Sequence, residues 1–432
     1  MIAANTQGTT RRVLLITPLD PSVHVGSTEE HRARAWAASG AQVTVISKRL
    51  HRSRRLLDIL RQSLSTSSQR HLEGGILWIA VDPFFNGHPG LRTEVEERAD
   101  PGRVQLFLLR CLSPLGLLRE LAFMASALWT GLRAGRFDVC IAAGPWSALV
   151  GRLLRRLGRV RALLVLDRDL EAATVRDGVR RWVTERLENS AIRHADLTIS
   201  TAQRLQSHRS AAGLVSRYLP NGVHAAPFQL ERSAGDASQR MLYVGNLIAW
   251  SGLLLTIDAL AEVRRTLPEA ELWIAGAGLP GFTQALQQRV TERNLQHAVR
   301  FLGAVPAADL PALAANCALG LCNSQPIELR RHALPLKLLE YFAAGLAVLA
   351  TQDTEAGDLV ESLEAGLTVP HELAPTVAAL TALLGDRAQR LRCGAAARQA
   401  ARGFDWTALI AVERQAVEAV LQHQPPPAGG GR

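Results

Sequence analysis

Lys337 and Glu340 stand three residues apart in Leu334-Pro335-Leu336-Lys337-Leu338-Leu339-Glu340-Tyr341-Phe342-Ala343-Ala344-Gly345. On a helix that spacing puts both side chains on one face. A compact ammonium near a helix start suits a diphosphate, and a carboxylate one turn later can accept two hydroxyls of a ribose. An ordinary surface Lys–Glu pair, worth at most roughly 0.5 kcal/mol, would show the same spacing. Composition makes the lysine pointed: of 49 Lys and Arg, only Lys48 and Lys337 are lysine. Whatever favours arginine elsewhere in this chain did not apply at position 337. Pro335 suits the first turn of a helix, where a missing N–H costs nothing.

The elements that must position this pair follow from an alternating pattern. A β-rich run at 12–17 is followed by an Ala- and Arg-rich helix to about residue 39, a glycine stop and a strand at 42–47. Further strands are expected at 76–81, 138–142, 162–166 and 197–200, with helices between most of them. A turn cluster, Leu219-Pro220-Asn221-Gly222-Val223, precedes a polar stretch to about residue 238. The same grammar then restarts at Met241, with strands expected at 241–245, 271–275, 299–302, 319–322, 347–350 and 367–369. Helical patterns fill 374–384, 388–402 and 406–421, and the Pro- and Gly-rich end, 424–432, is expected to be a disordered tail. Repeated strand–helix–strand alternation predicts an α/β protein of two doubly wound, Rossmann-like domains, with ligands at the carboxyl ends of the strands in the cleft between them.

Bulk properties narrow the classes. A chain of 432 residues exceeds one ordinary core. A net charge of +10 invites an anionic partner. The arginines are spread along the chain, aromatics are only 5%, and no nucleic-acid-binding motif is visible, so nucleic acid is not expected. Five scattered cysteines and a polar start without an apolar signal core lead us to expect reduced thiols in a cytoplasmic setting. The apolar stretch 104–132 is broken by Arg110, Arg119 and Glu120, and reads as one or two amphipathic helices. With the basic, amphipathic segment 51–61 it makes the inner face of an anionic membrane a candidate partner, a solvated helix face being the alternative.

The ordered set of motifs resembles the group 1 (family 4) glycosyltransferases of the GT-B fold, over nearly the whole chain. Pro220-Asn221-Gly222-Val223 resembles the interdomain turn. Tyr243-Val244-Gly245-Asn246-Leu247 with Trp250-Ser251-Gly252 resembles the first strand and loop of the nucleotide domain. Leu272-Trp273-Ile274-Ala275-Gly276-Ala277-Gly278 resembles its second strand and glycine turn, and Val299-Arg300-Phe301-Leu302-Gly303 the segment before a base-contacting loop. Pro335 to Gly345 resembles the subgroup pattern P-x-K-x-x-E-Y-x-A-x-G. On the N-terminal side Val25-Gly26-Ser27 resembles the family's glycine loop, whose amides could face a phosphate or an acceptor.

The resemblance implies an acceptor-binding domain over 1–225, a nucleotide-sugar domain over 240–405, and a last helix, about 406–421, packed back on the first domain. It implies a retaining transfer of a sugar from a nucleotide-sugar donor to an acceptor hydroxyl, carbohydrate or lipid-linked, as in cell-surface polysaccharide or glycolipid assembly. Donor contacts are expected from Gly26, Gly245, Asn246, Gly276, Lys337 and Glu340. Catalytic candidates are Lys337, His332 and Asp169; Asp169 ends a strand in Asp167-Arg168-Asp169, and a helix N-cap is its bland alternative. No metal or other cofactor is expected. Three positions depart from the family pattern: Asn246 where an arginine is common, Ser251 where a lysine is common, and His332 where a first glutamate is common. Arg330 and Arg331 adjoin the last. These departures keep two rivals open, a nucleotide-sugar epimerase of the same fold and an inactive glycosyltransferase-like scaffold.

Overall fold

The computed structural model of the chain describes residues 10–19, 27–49, 68–81, 103–175, 178–232, 238–278 and 280–423. The basic segment 51–61 and the tail 424–432 lie outside them. The first half carries strands β1 (Arg12–Thr17), β2 (Gln42–Lys48), β3 (Ser68–Glu73), β4 (Ile76–Val81), β5 (Phe137–Ala143), β6 (Val160–Asp167), β7 (Leu197–Ser200) and β8 (Arg217–Tyr218). Its helices are α1 (Thr28–Ala38), α2 (Arg103–Ala134), α3 (Pro145–Arg156), α4 (Gly178–Arg193) and α5 (Gln203–Ala211). The sheet order is β3-β4-β2-β1-β5-β6-β7-β8, parallel except for the β3–β4 pair. Strands buried on both faces read as apolar runs, which is why 12–17 or 138–142 are visible from sequence. β3 and β8 are not. Every residue of β3 is exposed, and its Ser-Gln-Arg-His-Leu-Glu has no apolar alternation; the turn Gly74-Gly75, both at positive φ, folds it onto β4. The apolar stretch 104–132 is one 32-residue helix, α2.

The second half carries β9 (Arg240–Val244), β10 (Glu271–Ala275), β11 (Val299–Gly303), β12 (Leu319–Cys322), β13 (Ala347–Thr351) and β14 (Gly366–Val369). Its helices are α6 (Leu253–Val263), α7 (Pro280–Glu292), α8 (Leu310–Ala315), α9 (Glu328–Arg331), α10 (Leu336–Ala344), α11 (Glu355–Ser362), α12 (Leu373–Gly385), α13 (Arg387–Ala401) and α14 (Trp406–Gln422). This sheet is parallel throughout, in the order β11-β10-β9-β12-β13-β14. The chain thus forms two doubly wound α/β layers. In each, strand order reverses at one point: between β1 and β5 in the first sheet, between β9 and β12 in the second.

The halves are joined twice at one place. Val223 bridges Asp405, and its N–H donates to the Phe404 carbonyl at 2.8 Å. There α14 turns back onto the first sheet, burying Trp406, Leu409, Ile410, Val417 and Leu421 beside Trp36 and Leu219. Gly222 has to be glycine: a Cβ there would meet the Trp406 ring at 2.6 Å and the Phe404 carbonyl at 2.9 Å. The α1–α14 contact holds a fully buried ion pair, Arg32 Nε to Glu413 Oε2 at 2.8 Å, while Trp36 Nε1 donates to the other oxygen at 2.9 Å. Elsewhere the halves meet along an apolar seam that includes Leu170, Ala202 and Leu205 from the first and Phe342, Ala356 and Val360 from the second. At its edge Glu355, in the first turn of α11, accepts the amides of Gln203 and Arg204 at 2.7 and 2.9 Å, and Arg204 pairs with Asp358.

Removing one member of a buried pair leaves the other charge without compensation, at a cost of about 3–5 kcal/mol. Glu413→Ala should lower the urea unfolding free energy by that order. Arg32→Met with Glu413→Leu, which removes both charges and keeps volume, should recover most of it. A double variant as unstable as the single one would show that packing, and not the stranded charge, carries the loss.

Candidate active site

In open α/β sheets ligands sit outside the carboxyl ends of the strands at the point of reversal. In the second sheet that point lies between Gly245, after β9, and Asn323, after β12. Gly245 has φ +132°, and its N–H donates to the Ala275 carbonyl at 3.0 Å. The next strand's turn comes so close that a Cβ on Gly276 would lie 1.8 Å from the Gly245 carbonyl oxygen. Gly252, at φ +81°, does the same against β12: its Cβ would lie 2.1 Å from the Asn323 carbonyl. The strand ends are thus drawn together by side-chain-free contacts, leaving a cavity lined by Tyr243, Trp250, Ser324, Arg330 and Lys337 among others.

α10 delivers Lys337 to this cavity. The helix begins at Leu336, one residue later than the proline suggests, and Pro335 flanks it with φ −74° and ψ 132°. Gly345 closes it in the left-handed region at φ 68°. Lys337 and Glu340 do not form the surface ion pair that their spacing allows. The ammonium lies 3.9 Å from the centre of the Tyr243 ring, and no carboxylate of the described residues lies within 4.0 Å of it. A Cβ on Gly245 would be 4.0 Å from Lys337 Nζ, so the lysine hangs over the bare backbone at the end of β9. Tyr243 is fixed in turn, its hydroxyl donating to the Asn246 carbonyl at 2.8 Å. Burial pushes the Glu340 carboxyl up to about 7, with nearby Lys337 opposing the rise. Cys322 shares the site, and burial pushes its thiol up to about 11.

Across the cleft, the first sheet reverses between β1 and β5. Here Gly144, with φ +81°, faces Glu171, whose Oε1 would lie 2.5 Å from a Cβ on the glycine. Burial pushes the Glu171 carboxyl up to about 8, Arg168 opposing and Glu188, Asp169 and Glu120 adding to it. Arg168 pairs with the buried Glu29 of α1 at 2.5 Å.

A family model of the glycosyl transferase 4-like domain matches residues 26–222, and one of the glycosyl transferases group 1 matches residues 238–386. The chain belongs to the group 1 glycosyl transferases. Over 217 residues it is 31% identical to a glycogen synthase of Mycobacterium tuberculosis, a match covering 48% of this chain and 50% of that protein. Over 256 residues it is 27% identical to the GDP-mannose-dependent alpha-(1-6)-phosphatidylinositol monomannoside mannosyltransferase of Mycolicibacterium smegmatis, covering 57% of this chain and 65% of that one. The chain therefore spans about half to two thirds of the length of the curated relatives it matches. Its fold is that of the sucrose-phosphate synthase of Thermosynechococcus elongatus, with TM-score 0.72 at 18% identity over 95% of this chain and 99% of that one. The architecture is GT-B.

In this group 1 transferase the structure brings Gly245, Gly276, Lys337 and Glu340 into one place. Gly26 lies outside the described residues. Asn246 is exposed, and its backbone carbonyl serves the Tyr243 hydroxyl. Ser251 is buried, with its hydroxyl accepting from the Leu253 N–H at 3.4 Å. Asp169 is not a helix cap: the turn 171–174 starts from Leu170 without a side-chain cap. His332 lies outside the group lining the Lys337 cavity. Its Nδ1 is 2.9 Å from the Glu328 carbonyl, and its ring is 5.0 Å from that of His208 on α5. Among the described residues no cluster of three His, Cys, Asp or Glu could hold a metal ion. Glu171 escaped sequence reading because its neighbours, Glu120, Gly144 and Glu188, are scattered along the chain; its place just after the carboxyl end of β6 was the available signal.

Glu171 binds its proton more tightly folded, near 8, than at its ordinary 4.5. Its contribution to stability is therefore complete below the ordinary value and lost as pH rises through the folded one. Glu171→Gln mimics the protonated form. The variant should melt close to wild type at about pH 5 and above wild type at about pH 9. Equal melting temperatures at both pH values would mean that the carboxyl ionises freely.

Proposed function

We propose that this chain is a retaining glycosyltransferase whose donor is a nucleoside diphosphate sugar held at the β9–β12 reversal. The observation that carries this reading is the Lys337 ammonium over the bare backbone at the end of β9, with no carboxylate of the described residues within 4.0 Å, and one turn on the Glu340 carboxyl, which burial holds back from ionising. Lys337 faces the departing diphosphate, and Glu340 receives ribose hydroxyls. The GDP-mannose-dependent relative named above supports a sugar donor with a nucleotide leaving group. In the step proposed, the bond from the anomeric carbon to the diphosphate oxygen breaks as the acceptor oxygen bonds on the same face. The acceptor proton passes to the oxygen that leaves. Positive charge fixed beside that oxygen stabilises the transition state more than the ground state. The first half, with Glu171, Asp169 and Arg168 at its strand ends, takes the acceptor.

Lys337→Arg is the sharp test. A planar fork is larger than an ammonium and its donors point differently. The variant should fold and melt like wild type, bind the nucleotide diphosphate sugar, and lose on the order of 10²–10³ in turnover. Glu340→Gln should weaken donor binding by about 10-fold or more. Near-wild-type turnover in Lys337→Arg removes the lysine from the chemistry; donor binding without turnover toward any acceptor makes the chain a binding scaffold.

The acceptor reading extends to an anionic lipid surface. Leu118, Leu121, Ala125, Trp129 and Arg133 form one exposed stripe on α2, with the Arg133 guanidinium 4.5 Å from the Trp129 ring. On α4, Val179 and Trp182 are exposed, and Arg186 lies 4.3 Å from the Trp182 ring. Tryptophan under arginine suits a headgroup layer. Among the described residues no helix is long and apolar enough to cross a membrane. The full chain should sediment with phosphatidylglycerol vesicles at low salt, less so at high salt, and Trp129→Ala with Trp182→Ala should release it. Failure of the wild type to sediment sinks the membrane reading.

A further inference from the structure

The loop after β9, from Gly245 to Gly252, holds no cation. A single ammonium is weak provision for two phosphates. Arg330, on the short α9 helix, lines the same cavity as Lys337. Its guanidinium lies 4.3 Å from the Trp250 ring, and its Nε is buried without a hydrogen-bond partner. Among the described residues no carboxylate lies within 4.0 Å of it. The carboxylate that acts on it most is Asp169, from the other side of the cleft, and burial lowers the guanidinium's proton affinity. Trp250 is itself anchored through its backbone, its carbonyl accepting from the Gln325 N–H at 3.0 Å. Two cations lining one cavity, with no carboxylate of the described residues within 4.0 Å of either, describe a subsite for an anion of more than one charge.

We propose that Arg330, laid on Trp250, is the second cation of the diphosphate subsite and supplies the charge that the loop after β9 lacks. This rests on the donor reading above. The two cations divide the work by shape. Lys337 is a point charge at the reacting oxygen, whereas the fork of Arg330 can hold two phosphate oxygens at once. Stacking on an indole orients the fork while leaving its N–H groups free.

Calorimetric titration of the full chain with UDP and GDP, and with uridine and guanosine, tests this. Taking whichever base the wild type binds, Arg330→Gln should weaken diphosphate binding by about 10–100-fold and leave nucleoside binding unchanged. Arg330→Lys should recover only part of the loss, because an ammonium cannot fork, and Trp250→Leu should fall between. If Arg330→Gln keeps diphosphate affinity within about two-fold of wild type while Lys337→Ala loses it, the proposal is overturned and the donor reading stands. A variant that loses nucleoside and diphosphate binding together, with a lowered melting temperature, assigns Arg330 a structural role and overturns it too. A wild type that binds neither diphosphate overturns both readings.

Discussion

The buried ion pair between Arg32 and Glu413 fixes how the two sheets face each other. Both carboxylate oxygens are engaged, one by the guanidinium and one by the Trp36 indole, in a place closed to solvent. Such a pair adds little net stability over an apolar filling, but it tolerates only one registry. α14 therefore docks on α1 in a single way, and the Val223–Asp405 bridge inherits that placement. Asn221 passes it on, accepting from Thr28 of α1 at 3.2 Å and donating to the Leu334 carbonyl at 3.1 Å, just ahead of the helix that carries Lys337.

Within the frame so fixed, the two faces of the cleft are electrostatically unlike. The β9–β12 side offers two cations, Lys337 and Arg330, with no carboxylate of the described residues within 4.0 Å, beside a carboxyl, Glu340, held back from ionising by burial. The opposite side offers Arg168 already neutralised by Glu29, and a second reluctant carboxyl in Glu171. A site of this kind keeps its positive charge uncompensated until a ligand arrives, which is the sense in which its dipoles and charges are set in advance of the chemistry. The arrangement depends on close backbone approach. Gly276 against Gly245, and Gly252 against Asn323, bring the strand ends near enough for side chains from β9, β12 and α10 to meet over one small volume.

What could be read from sequence was what short-range patterns encode. Buried parallel strands are apolar runs, so most of both sheets was legible, whereas the exposed β3 carries no periodicity to detect. Lys337 and Glu340 were legible because their relation is one helical turn. Arg330 and Trp250 were visible as residues, but their stacking joins two segments 80 positions apart. Glu171 was missed for the same reason, since its character comes from burial and from neighbours distant along the chain, Glu120, Gly144 and Glu188. His332, singled out by its place in a motif, faces His208 of the other domain, a neighbour that spacing along the chain does not reveal.

Helix α5 of the first half has Ala202 at its N-cap and no side chain of its own to satisfy its opening amides. Glu355 of the second half does that instead, with Asp358 holding Arg204 beside it. One carboxylate thus completes the first turn of a helix in the opposite half. The halves are consequently not interchangeable modules. A domain transplanted from a relative would have to present an acid at the same height and angle, or leave a helix of its new neighbour frayed at the mouth of the cleft. Recombination within such a family is constrained at this seam, whose Glu355 stands between Thr354 and Ala356, two residues that line the Lys337 cavity.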